Sequence, residues 1–417
     1  METPRLPIPD MTRFPAPASA ACAGISNDTY PQPATADGDT ASKAVAPLNG
    51  ASGHSVTVRE ARFDDYEKIA RLQARYDLDA GNYLEWSHLW LNNPVYRGRE
   101  WWPIGWVLEA GEQEIVGYIG NIPLLYEFQG RTLLTATGRA FVVDEQHRSH
   151  SFMLLDRYFR QPQVDLHLNT TVNAQAISAY GIFRAKRVPV GEWDQSAFWI
   201  TNHRGFVGSL LKSRSTPLAS LLSFPLALAP RIRELLSNKK LNIDHAVQVE
   251  YGSSFDERFD IFWAELRTNN RRLLAVRNRE TLEWHFRHSL LRNRIWILTV
   301  GSASRIEAYA IFFRDDNPKF DLKRMRLVDF QALNGGHHLL PSILEKALQR
   351  CRAEGIHMLE VIGYCQEKRE TVDAVIPYRR RLPSWMYFYR TKNRELGELL
   401  KTAEVWDPSG FDGDSSF

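Results

Sequence analysis

A polar loop between a predicted strand and a predicted helix holds the residues of this sequence that are best suited to chemistry. Residues 137–143 are rich in β-branched and aromatic side chains, which predicts a strand, and apolar side chains at helical spacing after the loop predict a helix. The loop carries Arg148, Ser149, His150 and Ser151. The first amides of a helix have no partner inside it, and the helix dipole favours negative charge there. The loop is therefore a candidate anion site.

A second strand and a short helix follow and supply titratable groups. Residues 164–168 alternate apolar and polar side chains, which predicts a strand, and residues 173–180 predict a short helix. The unperturbed pKa of imidazole suits proton transfer near neutrality, which makes His167 a candidate general base. Asp165 and Glu145 are further candidates. The alternative for His167 is a structural position on the other face of its strand.

This order of elements resembles the GNAT superfamily of N-acyltransferases, in which the loop amides hold the pyrophosphate of an acyl-coenzyme A. Ser151 and Met153 stand where the family has small residues. The resemblance implies that Asn173 touches the arm of the donor and that Tyr180 protonates the leaving thiolate. The donor-binding residues that it implies are Val142, Val143, Arg148, Ser149, His150, Ser151 and Asn173.

The same order of elements recurs later in the chain. Leu-Glu-Trp occurs at residues 84–86 and again at residues 282–284, and Asn-Gly-Gly at residues 334–336 stands where the polar loop stood. Asp329 and Glu360 are the candidate bases of this second copy. Together with the resemblance, the repeat predicts an α+β fold of two tandem GNAT-like domains, each a mixed, mostly antiparallel sheet flanked by helices. Which copy is active stays open.

Several single elements are predicted with definite bounds. Residues 114–125 and 131–143 predict neighbouring strands of an antiparallel meander in the first copy. Residues 339–353 predict a helix in the second copy, and residues 358–362 predict the strand after it.

Composition shifts divide the chain into five segments. A Pro-, Ala- and Ser-rich stretch predicts a disordered tail over residues 1–53. The first GNAT-like domain is predicted over residues 54–200, a helical linker over 201–246 and the second domain over 247–406. Residues 407–417 are predicted to be an acidic tail, in which a lone Asp-Gly-Asp is weak support for a metal site, and no metal is predicted.

Overall composition is ordinary for a globular protein, with 44% hydrophobic and 24% charged residues. The formal net charge of +3 gives no argument for a nucleic-acid partner. No apolar run is long enough to cross a bilayer, and no secretory signal is recognisable at the amino terminus. The three cysteines form no disulfide framework. These features predict a cytoplasmic protein, and both a monomer and a homodimer stay open.

The first functional hypothesis is an N-acyltransferase that moves an acyl group, acetyl by preference, from coenzyme A to a small-molecule amine. The chain also resembles acyltransferase-like proteins of bacterial polysaccharide and cell-envelope pathways, which favours an amino sugar as acceptor. Two alternatives stay open. Fem-type transferases pair two GNAT-like domains and take aminoacyl groups from tRNA, although a charge of +3 argues against a tRNA donor. A non-catalytic binding module is the other, and Ser151 and Met153 favour it.

Overall fold

The fold was analysed in a computed structural model. The predicted disordered tail and most of the predicted linker lie outside the part of the chain that it describes. The described residues are 55–99, 101–190, 195–214, 241, 243–373, 375–376, 378–382 and 386–417.

The first sheet begins as the predicted antiparallel meander, continues through one parallel pair, β4 and β5, and ends with antiparallel strands. Its strand order is β1-β2-β3-β4-β5-β15-β6, with the short β9 paired to β3. Turns at Gly111 and at Gln129-Gly130, all with positive φ, connect β2 to β3 and β3 to β4. The strands are β1 (Thr57–Glu60), β2 (Gly105–Ala110), β3 (Glu114–Phe128), β4 (Arg131–Val143), β5 (Leu166–Val172), β6 (Lys186–Arg187), β9 (Leu274–Ala275) and β15 (Met386–Thr391).

The second sheet repeats this plan in the order β14-β7-β13-β12-β11-β10-β8. Strands β12 and β13 are parallel, as are β4 and β5, and their neighbours are antiparallel. The strands are β7 (Gln195–Ile200), β8 (Val249–Gly252), β10 (Ile295–Gly301), β11 (Ile306–Arg314), β12 (Arg324–Ala332), β13 (Met358–Ile362) and β14 (Tyr378–Arg381).

The two sheets exchange a strand. β15, from the last part of the chain, lies between β5 and β6 of the first sheet, and β7, from the first half, lies between β13 and β14 of the second. The predicted boundaries at residues 200 and 247 therefore do not coincide with the sheets. The alternation of side chains along a strand fixes which face is buried but not which strand it pairs with.

Helices cover the sheets and join the two halves. None of those in the described part of the chain is long and apolar enough to cross a membrane. They are α1 (Tyr66–Ala74), α2 (Tyr83–Leu91), α3 (Ser151–Phe159), α4 (Ile177–Ile182), α5 (His203–Ser213), α6 (Glu257–Asn269), α7 (Arg279–Leu291), α8 (Leu340–Ala353), α9 (Gln366–Asp373) and α10 (Arg394–Leu399).

The repeated Leu-Glu-Trp segments meet each other in the middle of the molecule. They lie on α2 and α7, where His88 Nε2 is 2.8 Å from the carbonyl oxygen of Trp284. The Trp284 indole N–H in turn donates to the carbonyl oxygen of His88 at 3.1 Å. Each copy thus satisfies buried polar groups of the other, and the repeat forms a contact between the halves.

The last residues are not a tail. Residues 406–416 are buried, and Asp412 and Asp414 are only 3% and 4% exposed. The Tyr126 hydroxyl donates to Asp412 Oδ1 at 2.9 Å, and Lys368 Nζ donates to Asp407 Oδ2 at 2.7 Å. The prediction of an acidic tail is wrong because each carboxylate has a buried partner supplied by a distant element. We call residues 406–417 the C-terminal segment.

Candidate functional site

The main irregularity of the first sheet is a fork between β4 and β5. Their parallel pairing covers residues 135–137 and 166–168, after which the two strands diverge. β4 bulges where the register with β3 shifts, and Ala140 there has a φ of 52°. Asn169 Oδ1 accepts a hydrogen bond from the Gly138 amide at 3.2 Å, where the fork opens. The bulge turns β4 away from β5 and leaves a cleft between them.

The cleft is narrow, with a cavity volume of about 30 Å³, and is lined by backbone and side chains of both strands. The helical turn after β5 closes one side, and the C-terminal segment contributes the one carboxylate among the lining residues. These are Gly138, Ala140, Phe141, Asn169, Thr171, Val172, Asn173, Ala176, Tyr180 and Asp414.

Two of the predicted site residues, Asn173 and Tyr180, line this cleft. Asn173 Oδ1 accepts a hydrogen bond from the Ala176 amide at 2.9 Å and so caps the turn that leads into α4. Tyr180 is 4% exposed, and its ring packs against those of Phe159 and Phe388. The structure therefore brings to one cavity the two residues that the family resemblance implied.

The predicted anion loop has a different form from the expected one. Residues 145–150 make a 3-10 helix that runs into α3, and the Ser151 amide donates to the Arg148 carbonyl oxygen. Arg148 Nη2 donates to Glu145 Oε1 at 3.0 Å, in a pair whose side chains are 37% and 70% exposed. Glu145, Arg148, Ser149, His150 and Ser151 do not line the cleft. Glu145 is thus placed outside the cavity in which a base would act.

Val142 and Val143 follow the bulge, where they pair with β3. They lie in the strand that borders the cleft but are not among its lining residues.

His167 is a core residue, so its prediction as a base is wrong. Its side chain is 1% exposed, its Nε2 is 2.9 Å from the carbonyl oxygen of Tyr158, and its ring packs between Tyr158 and Phe159. Burial lowers the pKa of His167 to about 3. Asp165 instead accepts a hydrogen bond from the Leu134 amide at 2.8 Å and links β4 to β5.

Acid should therefore destabilise the protein through His167. The unfolded chain takes up this proton near pH 6.5, the ordinary value for imidazole, and the folded protein only at about pH 3, so the unfolded state binds more protons in between. Between these pH values stability falls as the pH falls. Between pH 4 and pH 6, the free energy of unfolding of the wild-type protein should therefore rise relative to that of His167→Phe. The expected rise is about 1.4 kcal/mol for each unit by which the pH increases.

Urea unfolding of both proteins across this pH range measures the difference. His338→Phe provides a matched control, because it makes the same substitution at an exposed histidine. Parallel curves for His167→Phe would show that the imidazole is not buried in its neutral form.

The second sheet has a corresponding fork between β12 and β13, but it is filled. The strands pair over residues 324–327 and 358–361 and then diverge. Lys368, 1% exposed, donates from Nζ to the Phe330 carbonyl oxygen at 2.8 Å and to Asp407 at 2.7 Å. A buried ion pair thus occupies the space that is open in the first fork.

The second copy contains the predicted Asn-Gly-Gly loop and the two candidate bases, Asp329 and Glu360. Asn334 and Gly335 have positive φ, at 51° and 72°, so the loop before α8 is a left-handed turn. Asp329 and Glu360 are fully buried. Asp329 is bound by Arg277, with a distance of 2.9 Å. Neither carboxylate is free to act as a base.

Glu360 is surrounded by arginine side chains. Burial alone would raise its pKa, but Arg380, Arg324 and Arg326 lower the pKa to about 2. Arg380 Nε donates to Glu360 Oε1 at 3.0 Å, and the Ser196 hydroxyl on β7 also donates to it. The carboxylate holds the exchanged strand in the second sheet.

Comparison with solved structures identifies the fold. N-myristoyltransferase from Saccharomyces cerevisiae, solved with bound myristoyl-CoA and inhibitors, is 13% identical, with 83% of each chain covered and a TM-score of 0.50. The chain has the fold of N-myristoyltransferase. The predicted tandem α+β fold and the predicted resemblance to N-acyltransferases are therefore confirmed at the level of the fold.

Two GCN5-related N-acetyltransferases are also similar in structure. The one from Anabaena variabilis is 11% identical, with 81% of this chain and 73% of that chain covered and a TM-score of 0.49. The one from Kribbella flavida is 9% identical, with 82% and 72% covered and a TM-score of 0.49. No protein-family model matches the sequence, and no curated protein matches it.

Sequence reasoning missed Asp414 as a residue of the cleft. The aromatic residues Trp406, Phe411 and Phe417 stand among the acidic ones and were the signal of burial, because aromatic side chains rarely occur at this density in a solvated tail. Within the described residues no group of three or more His, Cys, Asp or Glu side chains could hold a metal ion.

Proposed function

We propose that this protein is an N-acyltransferase that takes its acyl group from coenzyme A, and that the donor binds in the cleft between β4 and β5. The observation that carries the proposal is the contrast between the two forks. The first is open and lined by Gly138, Asn173 and Tyr180, whereas Lys368 and Asp407 fill the second. The shared fold with a protein that binds myristoyl-CoA supports the same assignment.

A fork between parallel strands suits an acyl thioester for a physical reason. Backbone amides that the partner strand no longer engages can donate to the amides of an extended pantetheine arm and to the thioester oxygen. Donors fixed by a sheet stabilise an oxyanion without reorganising during the reaction. Tyr180 is the proposed acid for the leaving thiolate, and Asn173 is the proposed contact for the arm. The loop from Arg148 to Ser151 is proposed to meet the pyrophosphate.

Acetyl is the acyl group that we propose, and a small-molecule amine, with an amino sugar as the first candidate, is the proposed acceptor. A formal net charge of +3 does not favour an aminoacyl-tRNA donor, since phosphate contacts dominate such binding. The proposed location is the cytoplasm, and the proposed state is a monomer or homodimer.

A bulky side chain in the cleft should abolish donor binding. Ala176 lines the cleft and is half-buried, so Ala176→Trp places a bulky indole at the cleft. We expect calorimetric titration with acetyl-CoA to give saturable binding for the wild-type protein and at least about tenfold weaker binding for this variant, which corresponds to a loss of about 1.4 kcal/mol.

Ala174→Trp is the matched control, because Ala174 lies in the same helical turn but is exposed and outside the lining. It should bind acetyl-CoA like the wild-type protein. Binding that Ala176→Trp leaves unchanged would move the donor to the second copy, where the turn at Asn334 and Gly335 becomes the candidate. Saturable binding without transfer to any amine would favour the binding-module alternative.

A further inference from the structure

We infer that Asp414, carried into the cleft by the C-terminal segment, is the general base that takes the proton from the amine acceptor. This inference rests on the proposed function. It adds to the site a residue from the far end of the chain, in the C-terminal segment that follows the exchanged strand β15.

The position of Asp414 is fixed by contacts with β5. Asp414 Oδ1 accepts hydrogen bonds from the hydroxyls of Thr170 and Thr171, at 3.1 and 3.3 Å. Gly413 before it has a φ of 62°, and a Cβ atom there would lie 2.7 Å from the Thr170 side chain. The backbone therefore approaches β5 as closely as glycine allows. These contacts hold the carboxylate at the wall of the cleft.

The surroundings of Asp414 increase the proton affinity of its carboxylate. Burial raises the pKa of Asp414, and Arg139 together with the two threonine hydroxyls opposes that rise. The groups that face it are Arg139 on β4, Tyr158 on α3 and Tyr180 on α4. A carboxylate with a raised pKa holds an abstracted proton better than an exposed one does.

The other candidate carboxylates and imidazole do not reach the cleft. His167 is in the core, Glu145 pairs with Arg148 on the surface, and Asp165 is bound to the β4 backbone. Asp412, two residues before Asp414, is bound by the Tyr126 hydroxyl and does not line the cavity.

In the proposed reaction, Asp414 removes a proton from the amine acceptor before the nitrogen attacks the thioester. The acceptor enters as an ammonium ion and gives one proton to the Asp414 carboxylate. The freed nitrogen lone pair attacks the thioester carbonyl carbon, a C–N bond forms, and the C–S bond breaks with its electron pair on sulfur. The nitrogen loses its second proton to solvent, and the thiolate is protonated by Tyr180, which recovers its proton from solvent. Asp414 then releases its proton to water, and the products are an amide and a thiol.

The test compares Asp414→Asn, Asp414→Glu and a matched control, Asp412→Asn. The control removes an acid of the same segment and the same burial from outside the cleft. Each protein is titrated with acetyl-CoA by calorimetry and assayed for thiol release with glucosamine and with glycinamide over a range of pH. Thermal unfolding shows whether each variant is folded.

We expect Asp414→Asn to bind acetyl-CoA within about threefold of wild type and to lose about 10²- to 10⁴-fold in kcat for amine acetylation. We expect kcat/KM of the wild-type protein to rise with pH. This rise should disappear in Asp414→Asn, and Asp414→Glu should keep part of it. Asp412→Asn should retain kcat within about threefold.

Three outcomes would overturn the inference while leaving the donor site in place. They are wild-type kcat in Asp414→Asn, an equal loss in Asp412→Asn, and a wild-type protein that binds acetyl-CoA but acetylates neither amine. A wild-type protein that does not bind acetyl-CoA would instead overturn the proposed function on which the inference rests.

Discussion

Residues 1–214, expressed without the rest of the chain, will not form a stable domain, although they contain the whole predicted first copy. Without β15, β5 becomes an unpaired edge whose residues Leu166, Leu168 and Thr170 are fully buried in the intact protein. β7 loses its place between β13 and β14, which exposes Ala197 and Phe198. Unpaired apolar edges favour aggregation over folding.

Circular dichroism and denaturant titration of the fragment should show no cooperative unfolding transition. Co-expression of residues 1–214 with residues 215–417 is the control, because each fragment then supplies the strand that the other lacks. The two should co-purify and unfold together. A cooperative transition for the first fragment alone would contradict the view that the exchanged strands hold the halves together.

Replacing Arg277 by alanine should lower the free energy of unfolding by about 3–5 kcal/mol, the usual cost of leaving a buried charge unpaired. Arg277 and Asp329 are both fully buried. Arg277 donates to Asp329 at 2.9 and 3.2 Å, to the Ala275 carbonyl oxygen at 2.7 Å and to Ser409 at 3.2 Å. It thus joins the second sheet to the strand beside β3 and to the C-terminal segment.

The electrostatics of Arg277 agree with this view. Burial lowers its pKa, but attraction to Asp329, Tyr309 and Asp412, together with the hydrogen bonds to Asp329, more than reverses the effect, so the pKa of Arg277 is raised. Chemical denaturation of Arg277→Ala measures the loss. The exposed pair of Arg97 and Glu280 serves as control, and Arg97→Ala should cost less than about 1 kcal/mol. The double variant Arg277→Ala/Asp329→Asn should be more stable than Arg277→Ala, because it removes the stranded charge.

Equal stability of the single and double variants would show that the charge of Asp329 is not the cause of the loss. In that case the packing of Arg277 over the Phe411 ring, at 4.9 Å, would account for the effect of Arg277→Ala.

Local features of the sequence predicted individual elements closely. The strand over residues 131–143 and the strand over 358–362 have the same bounds in the structure, and the helix predicted over 339–353 begins one residue later. Alternation, helical spacing and turn residues are read from neighbours along the chain. Asn173 and Tyr180, which the resemblance to GNAT acyltransferases implied, both line the cleft because the element that carries them follows β5 directly, and their roles stay predictions.

Features that depend on distant residues were not predictable in this way. His167 alternates with apolar neighbours in the same manner whether it faces solvent or the rings of Tyr158 and Phe159. The closure of the second fork depends on Lys368 meeting Asp407, which are brought together by the C-terminal segment. Nothing in the local sequence of either residue specifies the other.

Most of the elements and their order could be read from the sequence alone, because periodicity and turn chemistry act over a few residues. The fold class was predicted from the resemblance to GNAT acyltransferases together with the internal repeat. Contacts between distant parts of the chain determine which sheet each exchanged strand enters, why the first fork is open and the second filled, and why Asp414 lies in the cleft. Burial and pairing of charges arise between residues that are far apart along the chain. Pairing of this kind becomes visible only when the whole chain is packed.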